Sequence, residues 1–402
     1  MFSQIVFMDT VEAHRRLWPL TVSRPIAELR TGIWRIREKW AFHFPTIPMS
    51  WLTVGYLADF FPLNPAKGNI MYIGGGVLPS AQLLQDIRQL PLGESLWADN
   101  YPIAFHAPRL YNRAEEVREA ASSRANPYNY PLIIRELTDI FSLNRTAIEA
   151  DIAAIRQQRR SAVVTDKHTA IYAADNIFIE EGAFIKSAVL NAETGAIYIG
   201  KNAVVGEGSL IRGAFALCEG AQLNMGAIIR GDTTVGNHCK AGGEISNSVL
   251  TGYSNKAHEG FLGNSVIGEY CNLGAGTTAS NMKNTMGNIN LWNYASSQFA
   301  PSERRFGGLF LGDYSFTGIG TAFNTATVGG PAMNLFDAGL PPKFIPPFSW
   351  GTPTRLQAYR FDEFIKTAAR MKASKGQAWT AADVSLWENI FRQTADYQIK
   401  SV

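Results

Sequence analysis

Apolar positions along the chain fall into three rhythms. Up to about residue 160, short hydrophobic runs alternate with helix-like spacing. Gln4-Ile-Val-Phe-Met8 predicts a buried first strand. Ala27 to Trp40 predicts a helix, with Ile33, Ile36 and Trp40 at helical intervals. Tyr72-Ile73-Gly74-Gly75-Gly76 reads as a strand entering a tight turn. Ser80 to Leu90 reads as a helix capped by Ser80. Ile134 to Arg160 predicts a polar helical connector. Strand and helix in alternation predict an α/β unit.

The second rhythm has a period of six. Ile199, Val205, Ile211, Leu217, Leu223, Ile229, Val235 and Ala241 form one unbroken phase. Ile179 and Ile185 precede it. Phe261, Ile267, Leu273 and Ala279 follow in a shifted phase, and Leu311, Thr317 and Phe323 continue the spacing. Six is too long for strand alternation and does not match a helical repeat. It fits a solenoid in which each hexad supplies one flat side and one corner. The aliphatic residue points inward and stacks on its equivalent one coil away. Glycines such as Gly200, Gly206 and Gly236 permit the corner backbone.

The third rhythm begins near Leu340 with Pro341-Pro342-Lys343-Phe344-Ile345-Pro346-Pro347-Phe348. Two helices are predicted after it, at 361–375 and 381–395. The second has an N-cap pattern at Thr380 and Asp383. The expected organisation is therefore an α/β unit with connector over 1–160, a parallel β-helix over 161–340, and a Pro-rich segment with C-terminal helices over 341–402. The tail is expected to pack on a β-helix face or on a neighbouring subunit.

Composition narrows the chemistry. The chain has 402 residues, 37 basic and 34 acidic, with a net charge of +3. That balance points away from nucleic acid and anionic membranes as partners. The three cysteines, Cys218, Cys239 and Cys271, lack CxxC spacing and form neither a disulfide framework nor a zinc pattern. No metal-ligand set stands out. His238 and His258 are the only histidines between Ile177 and Val328, too few for a three-histidine site. The first residues do not read as a secretion signal, and no apolar run is long enough to span a bilayer. A cytoplasmic location is expected.

The segment His258-Glu-Gly-Phe-Leu-Gly-Asn-Ser-Val-Ile-Gly-Glu-Tyr-Cys-Asn272-Leu-Gly-Ala-Gly-Thr277, continuing to Asn281, closely resembles a family signature. The family is the bifunctional N-acetylglucosamine-1-phosphate uridyltransferase / glucosamine-1-phosphate acetyltransferase. Gly242–Glu244, Gly252–His258 and Phe348–Gly351 also resemble uncharacterised sugar nucleotidyltransferases of the same build. The resemblance implies a left-handed β-helix that trimerises, with acetyl-CoA or another acyl-CoA lying along the coil. It implies His258 as general base, because imidazole titrates near neutrality. Glu244 would orient the sugar or the histidine, and Arg230 would bind the sugar phosphate. Asn272 and Asn281 would hydrogen-bond sugar and pantetheine, and Ala275 would leave room for the thioester. Ser246 stands where the family has a lysine, and Phe261 where it has a tyrosine. Both family residues grip substrate phosphate.

Leu17-Trp-Pro19-Leu20-Thr21-Val-Ser-Arg24-Pro25 resembles the opening of sugar-1-phosphate nucleotidyltransferases. Their Gly-rich phosphate loop is replaced here by Met8-Asp-Thr-Val-Glu-Ala-His-Arg15-Arg16. The resemblance implies a degenerate nucleotidyltransferase-like domain, with Arg15, Arg16 and Arg24 as candidate phosphate contacts and Mg²⁺ as an accompanying ion. Two functions follow. One is nucleotidyl transfer, acyl transfer or both, acting on sugar phosphates and nucleotides. The other is a non-catalytic trimeric scaffold that binds a sugar nucleotide.

Overall fold

The computed structural model describes residues 2–400. The chain divides into two compact units. The first comprises the residues up to Leu17, Thr21–Leu29 and Trp34–Asp139; the second comprises Trp18–Leu20, Arg30–Ile33 and Ile140 onward.

The first unit is built on a mixed six-stranded sheet. Its strands are β1 (Gln4–Met8), β2 (Met49–Leu52), β3 (Ile70–Gly74), β4 (Ser95–Ala98), β5 (Tyr101–Ala107) and β6 (Ala125–Pro127), in the order β2-β1-β3-β5-β4-β6. β1 pairs in parallel with both β2 and β3, and β5 lies antiparallel to β3 and β4. β1 and β3 are buried along their whole length, which is why they read as continuous apolar runs. The short helix α1 (Val11–Arg16) follows β1, capped by Thr10, whose side chain accepts from the Ala13 N–H.

The helix expected over Ala27 to Trp40 is shorter than its spacing suggests. α2 spans only Ile36–His43, after a 3-10 turn at Ile26–Glu28. Gly32 sits at φ +73°, a left-handed conformation that interrupts a helix. Its N–H is taken by Asn144 Oδ1 and that of Ile33 by Asp151 Oδ2. Side-chain acceptors have replaced helical carbonyls there. The Ser80 cap is present on α3 (Ala81–Gln89), and α4 (Ala114–Ser122) packs Val117 and Ala121 into the core.

In the second unit the connector is two helices, α5 (Leu137–Ser142, begun in the first unit) and α6 (Asn144–Arg156). The expected left-handed parallel β-helix follows, with about 10 turns. Its eight-stranded face runs from Ala170–Tyr172 to Ala322–Phe323, and its nine-stranded face from Ile177–Ile179 to Phe344–Ile345. The ten-stranded face starts at Phe184–Ile185 and ends with Ser349–Thr352 and the antiparallel Arg355–Ala358. The hexads stack as their phase requires. Ile199 pairs with Leu217 and Leu217 with Val235; Val205 pairs with Leu223 and Leu223 with Ala241; Ile211 pairs with Ile229. All eight are at most 2% exposed, so the period is the core.

Beyond Ala241 the inward positions are Ile245, Leu250, Lys256 and Leu262. Phe261, taken from its spacing as inward, faces outward, and Leu262 fills the core instead. The phase shifts because these coils are shorter. Leu311, Thr317 and Phe323 stack on Ile267, Leu273 and Ala279. A long insertion between Ala279 and Leu309 carries the hairpin Asn290–Asn293/Gln298–Pro301.

The corner leading onto the ten-stranded face carries His238, Tyr253, Tyr270 and Tyr314, each at φ between +54° and +57°. Their rings form a continuous stack. The tail helices α7 (Phe361–Ser374) and α8 (Ala381–Gln393) pack against its end through Phe364 and Trp387. The Thr380–Asp383 capping box is reciprocal. Among the described residues, no helix is long and apolar enough to cross a membrane.

Candidate functional sites

On the β-helix, the sequence candidates fall into groups. Arg230 and Glu244 lie on the eight-stranded face and form an ion pair of 3.0 Å. Their side chains are 65% and 36% exposed, so the pair contributes little to stability and stays open to a ligand. They belong to the wall of a surface groove of about 540 Å³, shared with Val189, Asn191, Leu210, Arg212 and Ile228. Phe261 stacks in register on Glu244. A side chain at Gly263 would meet the Phe261 ring and the Asn281 amide, which places both against the same strand. Asn281 Nδ2 donates to Asn264 Oδ1 at 2.8 Å.

His258 and Ala275 occupy successive levels of one corner, between the ten- and eight-stranded faces. Both are exposed. The Gly276 N–H donates to the Glu259 carbonyl, which ties the two levels together. The preceding level is Gly242–Gly243, which leads directly into Glu244. The ledge at Ala275 is open: a Cβ on Gly276 would meet only Gly320 backbone, at 3.6 Å. Asn272 lies elsewhere, on the ten-stranded face. Its Oδ1 accepts from Asn255 Nδ2, and Asn255 in turn accepts from Lys375 Nζ of the tail.

In the first unit a cavity of about 420 Å³ is lined by Thr10, Glu12, Arg16, Asp99, Tyr101, Arg118 and Arg135, with Ala13, Asn100 and Ile134. It borders α1, just beyond the carboxyl end of β1, where parallel strands of α/β sheets present ligand sites. Arg16 pairs with Glu12 at 2.7 Å and with Glu136 at 3.4 Å. Arg135 pairs with Asp99 at 3.1 Å and lies over the Tyr101 ring. Burial pushes the Tyr101 hydroxyl up to about 12. Of the three sequence candidates, only Arg16 lines this cavity. Arg24 is 7% exposed, with its carbonyl against His14 Nε2, and Arg15 is half-buried outside the lining. No group of three His, Cys, Asp or Glu side chains converges among the described residues, and Glu12 and Asp99 both face arginines.

Residues 5–160 match the family described as sugar nucleotidyl transferase. That match lies over the first unit and the connector that follows it, and takes in less than half of the chain. The chain is also similar to the bifunctional protein GlmU of Trichodesmium erythraeum (strain IMS101), at 42% identity over 57 residues, 14% of this chain. The match spans only 12% of that relative's length. Among solved structures, the polySia-specific acetyltransferase NeuO aligns with 54% of this chain and 99% of its own at 14% identity, with a TM-score of 0.28. A UDP-N-acetylglucosamine acyltransferase from Campylobacter jejuni aligns with 58% of this chain and 99% of its own at 15% identity, with a TM-score of 0.23.

Several residues of these sites carry no motif. Arg118 and Arg135 of the cavity sit in no motif, and only the fold brings them to Arg16. Asp9 is buried at the end of β1, accepting from the Ile26 N–H and the Thr53 hydroxyl. Burial raises its carboxyl to about 7 against those two bonds, which lower it. Lys256 had a visible signal: it lies six residues before Leu262 and six after Leu250, on the inward phase.

Proposed function

We propose that the protein is a transferase of sugar-nucleotide metabolism, with acyl transfer at the His258 corner and nucleotide binding in the Arg16 cavity. The observation that carries this is the corner itself. An exposed imidazole and an open Ala275 ledge share it, one level from the strand that bears Glu244, the partner of Arg230 on the coil before. An acyl-CoA bound along the ledge supplies the thioester carbonyl. His258 takes the proton from a sugar amine as that amine attacks; the amide N–C bond forms, the thioester C–S bond breaks, and the departing CoA thiolate takes up the proton. Glu244 and Asn281 hydrogen-bond the sugar, and Arg230 with Arg212 meets its phosphate. Asn272, on the other face, serves the pantetheine arm. Exposed Ile171, Leu210 and Ile228 give the eight-stranded face apolar surface for two further copies, so the working form is a homotrimer. In the cavity, Arg16, Arg118 and Arg135 hold nucleotide phosphates, and Arg15 and Arg24 support the loop beside them.

The test is incubation with acetyl-CoA and a panel of amino-sugar phosphates, following thiol release. Activity is expected, and His258→Ala is expected to abolish it; unchanged turnover in that variant rules out His258 as base. Calorimetry with nucleoside triphosphates and sugar nucleotides tests the cavity. A non-catalytic sugar-nucleotide scaffold is the second reading. It is favoured by the carboxylates on Arg16 and Arg135, which compete with phosphate. Binding without any release of pyrophosphate or thiol selects it.

A further inference from the structure

At the inward position of the ten-stranded face, the β-helix carries aliphatic side chains at Val205, Leu223, Ala241 and Leu273. Lys256 occupies that position one coil after Ala241, and it is 0% exposed. Its ammonium does not escape to solvent. It runs inside the corner and donates to three backbone carbonyls: Gly242 at 3.4 Å, His258, and Glu259 at 3.3 Å. Two neighbouring bonds complete the pattern. Asn224 Nδ2 donates to the Ala257 carbonyl at 2.8 Å, and the Gly276 N–H donates to Glu259. The carbonyls of Ala257, His258 and Glu259 are therefore all fixed, from inside or from adjacent coils. Every peptide plane that orients the His258 Cα–Cβ bond is held.

A lysine is a costly choice there. Burial lowers its amine to about 8, with Glu259 acting weakly in the other direction. An aliphatic residue would fill the stack without burying a charge. Buried charges of this kind occur at functional sites more often than in cores chosen only for stability.

We propose that Lys256 is a positioning residue: from within the β-helix core, its ammonium clamps the His258–Glu259 backbone so that the imidazole points outward at the corner. It touches no substrate. This rests on the reading of His258 as the base, but the geometric claim is testable apart from it.

The test is Lys256→Met, which keeps length and removes the charge, compared with Leu273→Met in the same stack. Circular dichroism and melting confirm folding. Carbon-13-labelled histidine, with the His258 signal assigned from His258→Gln, reports the imidazole. Lys256→Met is expected to move or split the His258 resonance, while Leu273→Met leaves it in place. Where acyl transfer is present, kcat is expected to fall about ten- to hundredfold with little change in the KM for acyl-CoA, as for a displaced catalytic group. An unchanged His258 resonance and unchanged kcat in folded Lys256→Met overturns the proposal, as does an equal disturbance from Leu273→Met. If Lys256→Met does not fold, Lys256→Gln takes its place. A Lys256 ammonium in fast exchange with solvent in the unsubstituted protein also overturns it. Absence of acyl transfer in the unsubstituted protein removes the functional reading and leaves the resonance test standing.

Discussion

The ring of Tyr253 lies on that of Tyr270 with centroids 4.9 Å apart and planes 5° from parallel. Tyr314 continues the column at 4.8 Å and His238 begins it at 5.1 Å. The left-handed backbone conformation at each corner aims every ring the same way. Tyr270 is also tied to the tail, through its hydroxyl to Gln377. Tyr270→Leu breaks two ring contacts and that bond. The expected loss is about 1–3 kcal/mol, read from urea unfolding.

Asp9 makes stability depend on pH. Its folded-state carboxyl is raised from 3.8 to about 7, chiefly by burial. Between those values the unfolded chain gives up its proton before the folded one. Stability therefore falls as pH rises from about 4 to about 7, by about 3–4 kcal/mol from this group. Asp9→Asn removes the ionisation. Its stability relative to the unsubstituted protein is expected to improve between pH 5 and pH 8, measured by denaturant unfolding at each pH.

Gly75 faces Asp9 so closely that a Cβ there would collide with the Asp9 carboxylate. Gly75→Ala is expected to destabilise the first unit by about 1–3 kcal/mol. A thermal melt checks this, and pairing it with Asp9→Ala should recover much of the loss if the collision is the cause.

Arg230→Ala separates function from stability. The Arg230–Glu244 pair is exposed, so unfolding is expected to change by less than about 1 kcal/mol. The KM for a phosphorylated sugar is expected to rise at least about tenfold, with a smaller effect on an unphosphorylated one. Equal KM values for both sugars in the variant would remove Arg230 from phosphate binding.

Legibility in the sequence followed the length scale of each feature. The hexad phase from Ile199 to Ala241 marked the core because each coil repeats one local solution. Spacing in sixes puts Phe261 inside, but the coils there are shorter than eighteen residues, and Leu262 takes the inward place. The Ala27 to Trp40 helix failed for another reason. Its spacing was sound, but Asn144 and Asp151 supply the acceptors at Gly32 and Ile33 from more than a hundred positions away. The Arg16 cavity was beyond motif reading, since Arg118 and Arg135 reach it through sheet order alone. The resemblance points to His258, Ala275, Asn272 and Asn281 together, and spacing alone gives no sign that Asn272 faces a different side.

The coils of the β-helix differ in length, and the differences fall in one kind of place. Leu217 to Val235 takes eighteen residues, and Val235 to Leu250 takes fifteen, yet both pairs stay in register. The faces keep their strands while the corners absorb the missing residues. The insertion between Ala279 and Leu309 likewise leaves the faces aligned on either side. The corners thus act as the editable part of the chain, where its length varies from coil to coil without a change in the interior, and the candidate base His258 stands on one of them.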